Sequence, residues 1–212
     1  KNLRMDYKKA SDQTVFQARE KIKKNFGQNI YELIDQYPLF ACPQTMLRVN
    51  KNFELLKRSL KIPGDIFEFG TWRGATAIFF AKILDEIEPQ SNRKIFVFDN
   101  FSGLPEPTDL DSEYAKTQIG KYKGDKKSME YIIDAFELNH RLELIEGDAL
   151  STIPSFFEDN KPYLVSMAYF DFDLYEPTKI AWKYIKKYIL EGSILVFDEG
   201  LDRDRWSGEF KV

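Results

Sequence analysis

From about residue 63 onward, short apolar runs alternate with stretches of helical spacing, and this alternation constrains the fold more than any other feature of the chain. Apolar runs predict strands over 66–69, 94–98, 141–145, 163–170 and 193–197. Recurrence at three and four residues predicts helices over 74–87, 128–138 and 177–189. Strands separated by helices return in the same direction, so the pattern predicts βαβ units and an α/β fold around a mostly parallel, doubly wound sheet. Such strands are covered on both faces, which is why runs such as IFVF and SILVF are apolar throughout. Upstream, Met46, Leu47, Asn50, Phe53, Leu56 and Leu60 predict a helix over about 43–60 that the segment IPG stops. Residues 1–38 carry Phe16, Ile22, Phe26, Ile30 and Leu33 at roughly helical spacing. The stretch 100–127 breaks the rhythm, being polar, glycine-containing and aperiodic, and is expected to be either a lid or a disordered insertion.

At 212 residues and 43% hydrophobic, the chain is large enough for one sizeable core, and no linker-like stretch divides it. The expected organisation is an N-terminal helical segment over 1–62, serving as a cap, an oligomerisation surface or a substrate wall, followed by the main domain over 63–212. With 31 basic against 34 acidic residues the net charge is -3, and no Lys/Arg stripe is interleaved with aromatics, so nucleic acid is not an expected partner. The single Cys42 excludes an intramolecular disulfide, and no apolar run approaches 18 residues, so no membrane association is expected. Without a signal peptide in the sequence, a soluble, cytoplasmic setting is expected.

Two acidic clusters close apolar runs: Asp171 and Asp173 in YFDFDLYEPT, and Asp198 and Glu199 in LVFDEG. Parallel strands would bring both to the carboxyl edge of one sheet, where open α/β folds bind ligands. Carboxylates gathered there repel one another, and a hard divalent cation such as Mg²⁺ would relieve the repulsion. The competing reading makes Asp173 a helix cap and Asp198 and Glu199 a solvated strand end. The first strand ends in EFGTWRG, where Gly70 and Gly74 allow a sharp turn and a close ligand approach, with the amides of the next helix facing that ligand; a plain βα turn would use the same residues. Asp99 ends the second strand, placed to accept two hydroxyls of a ribose, and Gly147 with Asp148 ends the third, placed against an adenine edge. Trp72 would pack over a cofactor or seal the helix, while Tyr175 and Trp206 would stack on a sugar face or belong to the core. The lone His140, at the opposite sheet edge, is read as structural.

With these residues together, the chain resembles class I S-adenosylmethionine-dependent methyltransferases, and more closely the macrocin O-methyltransferase family of sugar O-methyltransferases. The segments EFGTWRGATA, FDNFSGLPEP, EGDAL, FDFDLYEPT and FDEG followed by RWSG carry the resemblance. It implies a Rossmann-like methyltransferase sheet of order 3-2-1-4-5-7-6; because the chain stops soon after the fifth strand, the expectation is that the last hairpin is either missing from the protein or lies outside this sequence. It further implies S-adenosylmethionine and Mg²⁺ as cofactors and a sugar, nucleotide-sugar or glycoside as the small-molecule substrate. Glu68, Gly70 and Gly74 would line the cofactor's methionine part, Asp99 its ribose and Asp148 its adenine, with Thr71 and Trp72 also among the cofactor-binding residues. Asp171, Asp198 and Glu199 would hold the metal, with Glu199 departing from the family's usual aspartate. Methyl transfer is an in-line displacement at a weakly nucleophilic hydroxyl, so positioning dominates and a base must take the proton. Asp171 and Asp173 are the catalytic candidates, Asp173 as base, a role that requires surroundings that raise its pKa.

Other classes compete. A haloacid-dehalogenase-type phosphatase would use Asp171 as nucleophile with Mg²⁺, but would leave Glu68, Asp99 and Asp148 without a role, and Leu174 and Tyr175 depart from its motif. A non-catalytic cofactor-binding protein of the same fold is a second alternative. An NAD-dependent oxidoreductase is a third, with Trp72 standing where its second glycine would be. The acceptor has no legible code, and the aromatic N-terminal segment suits a homo-oligomer interface and core packing equally.

Overall fold

The computed structural model describes residues 34, 35, 37–39, 41–158, 162–200, 202 and 204–212. Phe16, Ile22, Phe26, Ile30 and Leu33 lie outside them. The chain divides into two compact units, Lys1–Lys51 and Asn52–Val212, and the division falls within helix α1, Pro43–Ser59. In the first unit the described elements are a 3-10 turn at Tyr37–Leu39 and the opening turns of α1. The second unit holds the sheet. No helix among the described residues is long and apolar enough to cross a membrane.

The strands are β1 Asp65–Phe69, β2 Ile95–Asp99, β3 Leu142–Glu146, β4 Val165–Phe170 and β5 Ile189–Phe197. They pair in the order β3-β2-β1-β4-β5, all parallel, which matches the first five members of the expected order. The closing hairpin is absent among the described residues. The remaining helices are α2 Ala75–Ile87, α3 Glu113–Lys116, α4 Lys126–Ala135, α5 Ala149–Glu158, α6 Tyr175–Ile185 and α7 Ser207–Phe210.

Side chains alternate across a strand, and this sequence uses the alternation to build two chemically different faces. Ile66, Ile95, Val97, Met167 and Tyr169 line one face and pack against Ala77, Phe80 and Leu84 of α2 and Met129 and Ile133 of α4. Phe67, Phe69, Phe96, Phe98 and Phe170 line the other, against Ala149, Ile153 and Phe157 of α5 and Ala181 and Ile185 of α6. On this second face Phe98, Phe69, Phe170 and Phe197 occupy matched register on four adjacent strands. Their rings stack in a row, with centroids 5.2 Å apart for Phe98 and Phe69, 5.2 Å for Phe69 and Phe170 and 4.6 Å for Phe170 and Phe197. Each is the last or next-to-last residue of its strand, so the row fixes the level at which the chain leaves the sheet. Gly70, Asp99, Asp171 and Asp198 follow directly. The ladder continues through them, with Gly70 N–H donating to Phe98 O (2.8 Å), Asp171 N–H to Phe69 O (2.8 Å) and Asp198 N–H to Phe170 O (3.0 Å).

Three expectations change. Helix α5 is not among the predicted elements, because Pro154 lies inside it and obscures the four-residue spacing of its buried Ala149, Ile153 and Phe157. The helix expected over 177–189 ends at Ile185, and β5 begins earlier than 193. The apolar residues Ile189 and Leu190 belong to a strand interrupted by a bulge between its pairings with Val165 and Met167. There Gly192 has φ 89, and the Ser193 hydroxyl accepts from Leu190 N (2.9 Å) and donates to Val165 O (2.6 Å). Finally, 100–127 is folded: Leu104 N–H donates to Lys121 O (2.8 Å) and Gly120 N–H to Leu104 O (2.9 Å). Leu104 and Ala115 form a satellite core with Leu174 and Trp206, which follow β4 and β5.

Candidate active site

The loop after β1 is held by carboxylates. Glu68 is 1% exposed, on the α2 side of the sheet, and accepts the Thr71 hydroxyl at 2.7 Å. Burial holds it well above the usual carboxylate range, and Asp171, Asp99 and Asp198 push in the same direction. Asp99 clasps the turn itself: Oδ2 accepts from Thr71 N (2.8 Å) and Trp72 N (3.0 Å), and Oδ1 from Phe101 N (2.7 Å). Oδ2 thus has both acceptor directions filled, while Oδ1 keeps a second one. The glycines answer first to the protein. At Gly70, φ +90, a Cβ would lie 2.1 Å from the Asp171 carbonyl oxygen, and at Gly74, φ +79, it would lie 2.6 Å from the Met129 methyl and sulfur. Asp148 precedes α5 and accepts from Leu150 N at 3.0 Å.

The acidic clusters after β4 and β5 converge, joined by a residue that sequence reasoning missed. Asp171, Asp173 and Glu209 each offer a carboxylate oxygen, and these lie within 4.8 Å of one another. Glu209, 2% exposed on α7, accepts from Asp173 N (3.1 Å) and Glu199 N (3.2 Å). Burial first, then Asp171, Glu209, Glu199 and Asp198, lift Asp173 to about 9. Burial first, then Asp171, lift Glu209 to about 8. Asp198 accepts the Tyr169 hydroxyl, and Tyr169, raised by burial and by Asp198, stays protonated. Asp198 and Glu199 thus lie closely enough to raise Asp173, and Asp198 closely enough to raise Glu209, although their oxygens are not part of the 4.8 Å group. Only the adjacent RWSG tract hinted at Glu209; one carboxylate on a four-residue helix carries no periodic signal.

Asp173 does not cap α6. The N-cap is Leu174, and the amide of Tyr175 donates instead to Asp111 Oδ1 (2.8 Å) from the 100–127 segment. Asp173 has φ 65 and Trp72 and Tyr122 have φ 51 and 57, left-handed conformations that non-glycine residues adopt at a cost and that concentrate at functional sites. Trp72 is 46% exposed, meets Tyr122 edge-on at 5.9 Å and has the Arg73 guanidinium 4.8 Å above its ring. Trp206, by contrast, is buried against Tyr114 at 5.3 Å and belongs to the satellite core. Lys179 lies 5.0 Å over the Tyr175 ring. His140 sits at the far edge, with Nε2 2.9 Å from Asp85 and Nδ1 2.9 Å from Glu137 O.

The profile of the macrocin-O-methyltransferase (TylF) family matches residues 6–205. The chain belongs to this family. That membership sets aside the phosphatase and oxidoreductase readings. Among the relatives of this macrocin-O-methyltransferase family member, an 8-demethyl-8-(2,3-dimethoxy-alpha-L-rhamnosyl)-tetracenomycin-C 4'-O-methyltransferase of Streptomyces olivaceus is 27% identical over 144 residues, 65% of this chain and 53% of the relative. A mycinamicin III 3''-O-methyltransferase of Micromonospora griseorubida is 27% identical over 141 residues, 65% of this chain and 55% of the relative. The chain therefore spans about half the length of these two relatives in the matched region. The crystal structure of CalS11, a calicheamicin methyltransferase, superposes with a TM-score of 0.82 at 31% identity, covering 94% of this chain and 81% of that one. NovP, an O-methyltransferase, shares the fold, with a TM-score of 0.57 at 20% identity over 67% of this chain and 60% of that one.

Proposed function

We propose that this chain is an S-adenosylmethionine-dependent O-methyltransferase that acts, with Mg²⁺, on a hydroxyl of a sugar, a nucleotide-sugar or a glycosylated natural product. The observation that carries the reading is the cluster of Asp171, Asp173 and Glu209, with Asp198 and Glu199 near enough to raise Asp173, at the sheet edge where Asp171 packs against Gly70, in a chain of this family. One structure of the similar CalS11 is described as a TDP-rhamnose 3'-O-methyltransferase, which supports a sugar acceptor.

Both cofactors fit the residues present. An all-oxygen donor set suits a hard dication, and carboxyls lifted to about 9 and about 8 mark a site where negative charge lacks compensation. Asp171, Asp198 and Glu199 are the proposed ligands, with Asp173 and Glu209 adjoining. The cofactor would lie against Glu68, Gly70, Thr71, Trp72 and Gly74, with Asp99 toward its ribose and Asp148 toward its adenine. Asp99, Asp171 and Asp198, the charges that push Glu68 upward, give this edge a negative potential that favours a cationic donor. When bound, S-adenosylmethionine supplies a methyl group on a sulfonium, and Mg²⁺ supplies Lewis acidity toward the acceptor oxygen.

The chain's own contribution is orientation and proton transfer. Asp173 is the proposed base: its surroundings make its carboxylate far more basic than one in water, and its left-handed turn aims it into the cluster rather than along α6. Glu68 and Thr71 fix the loop, and Trp72 with Tyr122 offers aromatic edges beside it. The N-terminal segment 1–62 is proposed as a substrate wall or a homo-oligomer surface.

Calorimetric titration with S-adenosylmethionine, with and without MgCl₂, followed by transfer of labelled methyl to a panel of nucleotide-deoxysugars and glycosides, tests the reading. Binding and Mg²⁺-dependent labelling are expected. Absence of donor binding removes the reading; donor binding without transfer to any acceptor leaves the non-catalytic alternative.

A further inference from the structure

We infer that Glu209 is a positioning residue that sets the separation of the two acid-bearing loops, extending the sheet's ladder with a side chain where the backbone ladder has ended. The inference rests on the proposed function, because what the loops would hold is the cation of that reading.

The β4–β5 ladder closes with Asp198 N–H on Phe170 O (3.0 Å). Beyond that point the two chains turn away into α6 and α7. Glu209 crosses the gap, Oε1 taking the amide of Asp173 and Oε2 the amide of Glu199. Asp173 lies two residues past Asp171, whose amide still bonds to Phe69 O, and its φ of 65 is a conformation that non-glycine residues adopt at a cost.

The strut is itself anchored. At Gly208 a Cβ would stand 2.4 Å from both Asp111 Oδ1 and Tyr175 N, so α7 lies directly against that cap, and Lys211 Nζ donates to Leu110 O. Asp111 in turn holds Thr108 N (2.8 Å) and Tyr175 N (2.8 Å). The folded 100–127 segment, the start of α6 and the loop after β5 therefore meet at the residue beside Glu209. Without the carboxylate, Asp173 and Glu199 lose a common partner, and the donor oxygens of the two loops are no longer held at one spacing.

The test compares wild type with Glu209→Ala and Glu209→Gln in three readouts: amide exchange at Asp173 and Glu199 by NMR, Mn²⁺ affinity by EPR, and thermal melting. In wild type both amides should be protected. Glu209→Ala should expose both and weaken Mn²⁺ binding by roughly 10–100-fold, the range for groups that orient metal ligands. Glu209→Gln keeps the length and one acceptor oxygen, so it should restore part of each and serves as the folded control if the alanine variant does not fold. A merely structural role would lower the melting temperature and leave Mn²⁺ affinity in the folded protein unchanged, which overturns the inference. So does an equal loss of affinity in both variants with the amides still protected, which would make Glu209 a direct ligand. Failure of wild type to take up Mn²⁺ removes the cation of the proposed function instead, and the amide readout still decides whether Glu209 spans the loops.

Discussion

Gly70→Ala separates two reasons for a glycine at the head of the cofactor loop. If the position is glycine only to admit a ligand, alanine should spare the ligand-free fold and abolish donor binding. The structure gives another reason: with φ +90, an added Cβ would stand 2.1 Å from Asp171 O, 2.7 Å from Asp171 C and 3.1 Å from Phe172 N. These are backbone atoms on the neighbouring strand and cannot rotate away. The left-handed conformation costs a residue with a Cβ about 1–2 kcal/mol. Relieving the contact adds about 1–3 kcal/mol, as overpacking does. Parting β1 from β4 there also threatens the Asp171 N–H to Phe69 O bond, worth about 0.5–1.5 kcal/mol. Together a loss of roughly 2.5–6.5 kcal/mol is expected, a large part of the ~5–15 kcal/mol that holds a domain together. Urea unfolding of the ligand-free protein measures it directly. Gly120→Ala is the control, since φ is +73 but nothing lies within 4 Å of the added Cβ, so about 1–2 kcal/mol should be lost. A Gly70→Ala loss no larger than that of Gly120→Ala refutes the packing argument.

Asp173 and Glu209 carry pKa values of about 9 and about 8 in the folded chain, above their unfolded values, so the folded state keeps protons that the unfolded state releases. Their contribution to stability is therefore fullest below about pH 4 and is lost as pH rises through 8 to 9; the difference between wild type and Asp173→Asn across that window, by urea unfolding without metal, should follow this slope. Mg²⁺ should accordingly stabilise more at about pH 8.5 than at about pH 6 only to the extent that its binding competes with protons, releasing them in calorimetry run in two buffers. Arg141, 1% exposed, donates to Asp85 (2.6 Å), Ser91 O (2.5 Å) and Glu88 O (2.8 Å); Arg141→Ala should cost about 3–5 kcal/mol while leaving Mn²⁺ affinity of the folded fraction intact. Tyr169→Phe removes the hydroxyl on Asp198 and should cost about 1–3 kcal/mol, read as a lower midpoint in denaturant at unchanged slope.

The strands were legible because burial on both faces leaves unbroken apolar runs, and the observed sheet keeps β1 and β2 within a residue of their expected ends. Helix α5 was not, since a proline inside a ten-residue helix removes the periodic signal while tertiary packing of Ile153 and Phe157 still pays for the helix. The start of β5 was misjudged because Ile189 and Leu190 read equally well as the end of a helix, and only the pairing with Val165 decides. The convergence of Asp171 with Asp198 followed from parallel topology alone. Glu209 did not, because its place depends on the tertiary contact of Gly208 with Asp111, which local sequence does not encode.

Two features of the structure place the acidic residues at this sheet edge: backbone amides that hold them and the register of the strands that carry them. Asp99, Asp111, Asp148 and Glu209 each accept backbone N–H groups, from Thr71, Trp72 and Phe101, from Thr108 and Tyr175, from Leu150, and from Asp173 and Glu199 respectively. These bonds fix the loops. Asp171 and Asp198 leave the sheet at the level set by the phenylalanine row, on the face that also carries Glu68 and Tyr169, so strand register sets where they stand. Loop-held and register-held carboxylates meet at Asp173, whose amide serves the first kind and whose side chain joins the second. Preorganisation of that sort means the carboxyls are gathered when the chain folds, and a positive ligand arriving later displaces the protons that Asp173 and Glu209 hold rather than having to assemble the site.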